Sequence, residues 1–161
     1  MALIFILALY ATVGVMSVIG SIYLSQRFIA PRYESLAFGL FLIVIACFYL
    51  VFLSHFADPE AWRLELTAIA AFVVLGLLGI RIPALLIVGY LLHGGWDFLH
   101  ELEAHANMDP FGGRRASEIP LAYGVFCAAY DCGMAAYFFT RRSQWKSAWS
   151  AQTDSANPAA A

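Results

Sequence analysis

A chain of 161 residues has room for one domain, and this one is 62% apolar and only 12% charged. Soluble domains carry about a quarter charged residues, so the composition excludes a globule bathed in water and predicts an integral membrane protein. A net charge of −2 provides no basic stripe to neutralise phosphates, which argues against nucleic acid as a partner and leaves membrane lipid as the expected one.

A membrane-crossing helix needs about 20 mostly apolar residues. The first candidate, about Leu3 to Leu24, is closed by Gln26 and Arg27. No basic residue precedes it and no A-x-A site follows it, so it reads as a retained helix rather than a cleaved signal peptide. A short loop with Pro31, Arg32 and Glu34 leads to a second segment, about Leu36 to His55. Asp58-Pro59-Glu60 then reads as a turn, with Asp58 as helix cap and Pro59 at the first helical position.

The third segment runs from about Trp62 to Ile80, where Arg81 and Pro83 interrupt a longer apolar run. A proline there starts a fourth helix at little cost, and that helix covers about Ala84 to Glu101. A polar loop from Asn107 to Glu118 precedes the fifth segment, about Ile119 to Thr140. The expected architecture is therefore all-α, a polytopic membrane bundle of about five helices over residues 1–142. Residues 143–161, polar and small, are expected to be a disordered C-terminal tail.

Five spans place the first and third loops and the C-terminus on one side, with Arg27, Arg32, Arg81, Arg141, Arg142 and Lys146. Arg63, Arg114 and Arg115 fall on the other. The positive-inside rule then orients the chain in the inner membrane with its N-terminus outside and its C-terminus in the cytoplasm. Cys47, Cys127 and Cys132 lie in apolar runs, form no C-x-x-C and are odd in number, so they read as packing residues. No internal repeat of the kind found in many transporters is visible.

The chemistry-bearing residues gather between Leu91 and His105, which holds three of the four histidines. At about 100° per residue, His93, Asp97 and His100 share one stripe of the fourth helix. His93 lies near the bilayer middle, and Asp131 lies halfway along the fifth helix. Antiparallel packing of these two helices would put His93 and Asp131 at one depth. Ionisable groups there are expensive in lipid, so they are expected to face partners. His93 with Asp131, and His100 with Asp97, are the first pairs to expect. Glu101, Glu103 and His105 read as solvated groups at the helix end.

Imidazole and carboxylate are the usual ligands of zinc and of non-haem iron. His93, Asp97, His100 and His55 are therefore candidate metal ligands, with Asp131 as ligand or catalytic proton acceptor. Geometry limits the set, because His93 and His100 are about 10 Å apart along the axis. One ion would take Asp97 with either histidine and further ligands such as His55 or Asp131. Two other readings stand beside a metal site. One is a hydrogen-bonded network that fixes helix packing; the other is a proton or ion pathway through His93, Asp97 and Asp131.

The motif His93-x3-Asp97-x2-His100, followed by Pro120 and Cys127-x2-Tyr130-Asp131, resembles a family of small bacterial integral membrane proteins of unknown function. The resemblance covers the last two helices and implies that these positions belong together. A looser likeness is to the alkaline ceramidase and progestin-receptor-like superfamily of membrane hydrolases, which implies zinc held between helices. Those proteins have seven helices and an H-x3-H pair, where this chain has about five and Asp97 in place of the second histidine. The function expected is a metal-dependent membrane enzyme, hydrolase or oxidoreductase, acting on a lipid-like substrate. The competing expectation is a non-enzymatic conductor or accessory subunit whose polar cluster is structural.

Overall fold

The computed structural model describes residues 1–56 and 59–156, and among these it contains five helices and no strand. They are α1 (Ala2–Phe28), α2 (Pro31–Phe56), α3 (Trp62–Gly79), α4 (Pro83–Ala106) and α5 (Tyr123–Ala156). Three of them, α1, α2 and α3, are long and apolar enough to cross a membrane. At 1.5 Å per residue, α4 and α5 also exceed a hydrocarbon core of about 30 Å.

Why α4 is compatible with that setting is visible in its faces. Its buried positions are Leu86, Gly89, Tyr90, His93, Gly94, Asp97, His100 and Glu101, an i, i+3, i+4 stripe. Its large exposed side chains are Val88, Leu91, Leu92 and Phe98. Polar groups turn inward and apolar groups outward, the reverse of a helix packed in water. The same outward greasiness runs along α1, with Ile4, Phe5, Met16 and Ile19 all more than half exposed.

Proline sets two of the helix starts. Pro83 stands in the first turn of α4, where the missing N–H costs nothing. Pro31 does the same for α2 instead of lying in a loop, so α1 and α2 are joined only by Ile29 and Ala30. Pro59 falls in a turn ahead of α3, and Ala61, not an aspartate, is the cap residue. Asp58, the expected cap, lies outside the described residues.

α4 packs chiefly on α5, α5 on α1, and α2 on α3, with α2 also touching α4 and α5. The antiparallel α4–α5 pair approaches closely at Gly124, which lies directly on the Asp97 carbonyl oxygen. A Cβ built there would stand 2.7 Å from the Glu101 Cβ and 2.9 Å from the Asp97 carbonyl carbon. Backbone cannot yield as a side chain can. Gly124→Ala is therefore expected to destabilise by about 1–3 kcal/mol, read as a lowered thermal midpoint in detergent.

Two expectations about helix ends change. Glu101 is not solvated: it is 4% exposed, and its carboxylate accepts from the Ala122 and Gly124 N–H groups at 2.8 and 3.0 Å. An acidic side chain there satisfies otherwise orphaned donors at the α5 N-terminus and complements its dipole. Nor does the fifth helix end near Thr140 with a disordered tail from residue 143. It continues to Ala156; residues 157–161 lie outside the described residues.

The reason is tertiary. Trp145 is fully buried and donates to Glu34 Oε2 at 2.7 Å. Trp149 donates to Ser35 Oγ at 3.0 Å and stacks under the Arg81 guanidinium. Glu34, which the sequence places in a short loop, lies in the first turn of α2 and is wholly buried. It accepts from Ser25 and Tyr137 as well, and Arg141 reaches its Oε2 through Nη2 at 2.9 Å and Nε at 3.1 Å. One carboxylate thus ties α1, α2 and α5 together.

Candidate functional site

A wholly buried polar group is built from α4 and α5. His93 and Asp97 are one turn apart on α4, and Gly94 lets α5 close over them: a Cβ at Gly94 would lie 2.9 Å from the Asp131 Cβ. His93 Nδ1 lies 2.8 Å from Asp131 Oδ2 and 3.2 Å from Asp97 Oδ2. His93, Asp97 and Asp131 are each 0% exposed, and one donor atom from each falls within 4.8 Å of the other two. Phe72 of α3 closes the group from the side, its ring 5.0 Å from the imidazole.

The hydrogen bonds of this group are incomplete at Asp131. Asp97 accepts from the Tyr49 hydroxyl of α2 and faces the Cys127 thiol, and His93 also meets the Ile45 backbone, but Asp131 Oδ1 is buried with no hydrogen-bond partner. The charge is incomplete too. Two carboxylates face one imidazole, so even a protonated His93 leaves a net charge of −1. An uncompensated charge at this depth costs several kcal/mol. The group is therefore short of positive charge, supplied by a proton or a cation.

The cluster is compact enough for a cation. Donor atoms sharing one ion at about 2.0–2.1 Å stand roughly 3.0–3.4 Å apart; the 3.2 Å from His93 to Asp97 lies in that range, and the 2.8 Å to Asp131 is that of a hydrogen bond, which an ion would replace. One nitrogen and two oxygen donors form a set that zinc and non-haem iron accept.

His100 stands apart from this group. Its Nε2 lies 2.8 Å from Glu65 Oε1 on α3, and its Nδ1 lies 2.9 Å from the Trp96 carbonyl oxygen. Both ring nitrogens thus face acceptors, and a neutral imidazole donates through only one. The pattern is complete when the His100–Glu65 pair holds one extra proton. Glu65 also accepts from the Ser117 N–H at 2.8 Å and the Trp96 indole at 3.3 Å. The expected His100–Asp97 pair is not formed, because the two side chains leave α4 toward different neighbours.

His55 is not brought in either. The buried face of α2 runs through Leu42, Ala46, Tyr49 and Leu53. His55, two residues past Leu53, is rotated by about 200° from it and is exposed, with its ring against Phe56. The residue α2 does contribute is Tyr49, which the sequence reading passes over. It is the polar member of that buried stripe, and this was the available signal. Its ring also packs at a tilt against His100, the centroids 4.8 Å apart, so it touches both polar groups. His105 sits at the helix end, with Nε2 3.2 Å from the Ile119 carbonyl oxygen.

Tyr49 orients Asp97 by holding one carboxylate oxygen and leaving the other toward His93. If the group holds a metal, Tyr49→Phe is expected to weaken it by about 10–100-fold, as removal of an outer hydrogen bond does. Metal titration of the purified variant against wild type reads this directly.

Fold and site together define a class: an all-helical bundle of membrane type, with a buried cluster of one histidine and two aspartates. No family model, no curated protein and no solved structure matches the chain.

Proposed function

We propose that this protein is a metal-dependent membrane enzyme acting on a lipid-like substrate. His93, Asp97 and Asp131 hold a zinc or iron ion, and Asp131 doubles as proton acceptor. The observation that carries this reading is the three-residue group itself: wholly buried, short of positive charge, and with one possible ligand atom from each residue within 4.8 Å of the other two. A bound ion supplies Lewis acidity toward a substrate oxygen. A lipid-like substrate suits the surroundings, since Phe41, Ile45, Phe48 and Phe126 stand in the wall of the cavity beside Asp131.

In this reading the chain lies in the inner membrane with its N-terminus outside. The end at which Arg141 meets Glu34 and Arg81 meets Trp149 is also the end of Arg27, Arg32, Arg142 and Lys146, and the positive-inside rule makes it cytoplasmic. The catalytic group then sits about mid-membrane and the His100–Glu65 pair nearer the outer face.

The deciding measurement is elemental analysis of protein purified fresh without chelator. Stoichiometric zinc or iron that is absent from Asp97→Ala supports the reading, and metal-free wild type sinks it. A second reading draws on the succession Glu65–His100, Tyr49–Asp97, His93–Asp131, buried groups stepping inward from the outer end of α4. That arrangement suits a proton or ion path. Proteoliposome flux that is unchanged in Asp131→Asn would count against it.

A further inference from the structure

A cavity of about 360 Å³ lies where α1, α2 and α5 meet, walled by Ser17 and Ser21 of α1, Ile45 and Phe48 of α2, and Phe126 and Asp131 of α5. Its size is that of a small-molecule site. α1 is fastened to α5: a Cβ at Gly14 would stand 2.6 Å from the Phe126 carbonyl oxygen, and Ser21 Oγ lies 3.1 Å from the Tyr130 hydroxyl. Toward α2, by contrast, the side-chain bond of α1 is Ser25 to Glu34, near the far end of the helix. The gap between α1 and α2 beyond that bond borders the cavity. Its rim is apolar, with Phe41 and Phe48 of α2 at 41% and 46% exposure.

Besides Tyr123, Cys127 and Tyr130, the wall carries three polar groups that differ in one respect. Ser17 Oγ is spent on the Val13 carbonyl and Ser21 Oγ on Tyr130. Asp131 has one oxygen 2.8 Å from His93 and the other, Oδ1, buried with no partner. An ionised carboxylate oxygen only accepts, so what completes it is a donor. The charge of the group narrows the choice further. With both carboxylates ionised, as a bound cation holds them, an anionic head is disfavoured whether His93 is neutral or protonated, because a divalent ion would no more than neutralise the two acids. A phosphate or fatty-acid carboxylate is the wrong head; a hydroxyl is the right one.

We propose that this cavity binds a neutral, single-chain lipid bearing a hydroxyl group, which enters sideways between α1 and α2 and donates its hydroxyl hydrogen to Asp131. The site's location and polarity stand on the cavity and the unpartnered carboxylate oxygen. The lipid's role as substrate rests on the metal reading above, in which the hydroxyl oxygen is presented to the ion.

The test uses the full chain in nanodiscs with a photoreactive long-chain alcohol and the matching fatty acid. The alcohol is expected to label residues around the cavity, with unlabelled alcohol competing and the fatty acid not. Ser21→Phe fills the mouth from α1 without touching a proposed ligand. It is expected to reduce labelling about tenfold or more at unchanged metal content. Phe48→Trp narrows the cavity from α2 and serves if Ser21→Phe does not fold. Equal labelling by the acid, labelling spread over the outer face of α3, or labelling indifferent to both substitutions overturns the proposal. Selective labelling of a protein that holds no metal keeps the lipid site and removes the catalytic reading. Bound metal without selective labelling does the reverse.

Discussion

Asp131→Asn, purified without chelator, is expected to bind zinc or iron about a hundredfold or more weakly than wild type, since even an outer hydrogen bond to a metal ligand is worth about 10–100-fold. The same substitution has a second consequence of opposite sign. In metal-free protein the cluster of His93, Asp97 and Asp131 carries, until a proton is taken up, an uncompensated negative charge in a fully buried site. Asparagine keeps the shape of the aspartate and removes that charge. The metal-free variant is therefore expected to be at least as stable as metal-free wild type.

Metal linkage then reverses the order. At a metal concentration about a hundredfold above the wild-type Kd, wild type gains about 2.7 kcal/mol and the variant about 0.4 kcal/mol or less. Thermal unfolding with and without chelator reads both effects in one experiment. If the cluster were only a packing network, chelator would change nothing. That outcome would remove the metal reading.

Glu34→Ala is expected to have the largest effect on folding. The Glu34 carboxylate is wholly buried and receives bonds from Ser25, Tyr137, Arg141 and Trp145. Its removal leaves the Arg141 guanidinium, whose side chain is only 20% exposed, without its carboxylate and strands three further donors. Breaking a buried ion pair from one side costs about 3–5 kcal/mol, a large share of the stability of an ordinary domain. The expected result is poor recovery from detergent, or a folded fraction in which proteases cut α5 after Tyr137. Glu34→Gln retains one acceptor oxygen and is expected to be milder. Normal recovery and an uncut α5 in Glu34→Ala would show that α5 does not need this clamp.

How much of this could be read beforehand depends on the range of the interactions. The polar stripe of α4 was readable because periodicity is local: His93, Asp97 and His100 are four and three residues apart, and an ionisable group in an apolar run has to face inward. The juxtaposition of His93 and Asp131 needed only the further step that consecutive helices pack antiparallel. Tyr49 was available on the same logic, as the polar residue of the α2 stripe. Its partner, 48 positions away, was not.

Composition and periodicity by themselves determined that this is an all-helical bundle of membrane type, and which α4 residues turn inward. These follow from hydrophobicity and the 3.6-residue repeat, which act within one helix. Only the tertiary structure decided which inward residues meet. It separated His100 from the cluster and gave it Glu65, turned His55 outward by the rotation of α2, and made Glu101 a cap for α5. It also buried Glu34, whose partners on α5 lie 103 to 111 positions away, and so carried α5 through a stretch that reads as a tail. The rotation and register of packed helices are set by close contacts such as Gly94 on Asp131 and Gly124 on Asp97. Such contacts between distant residues leave no mark in the local pattern of the chain.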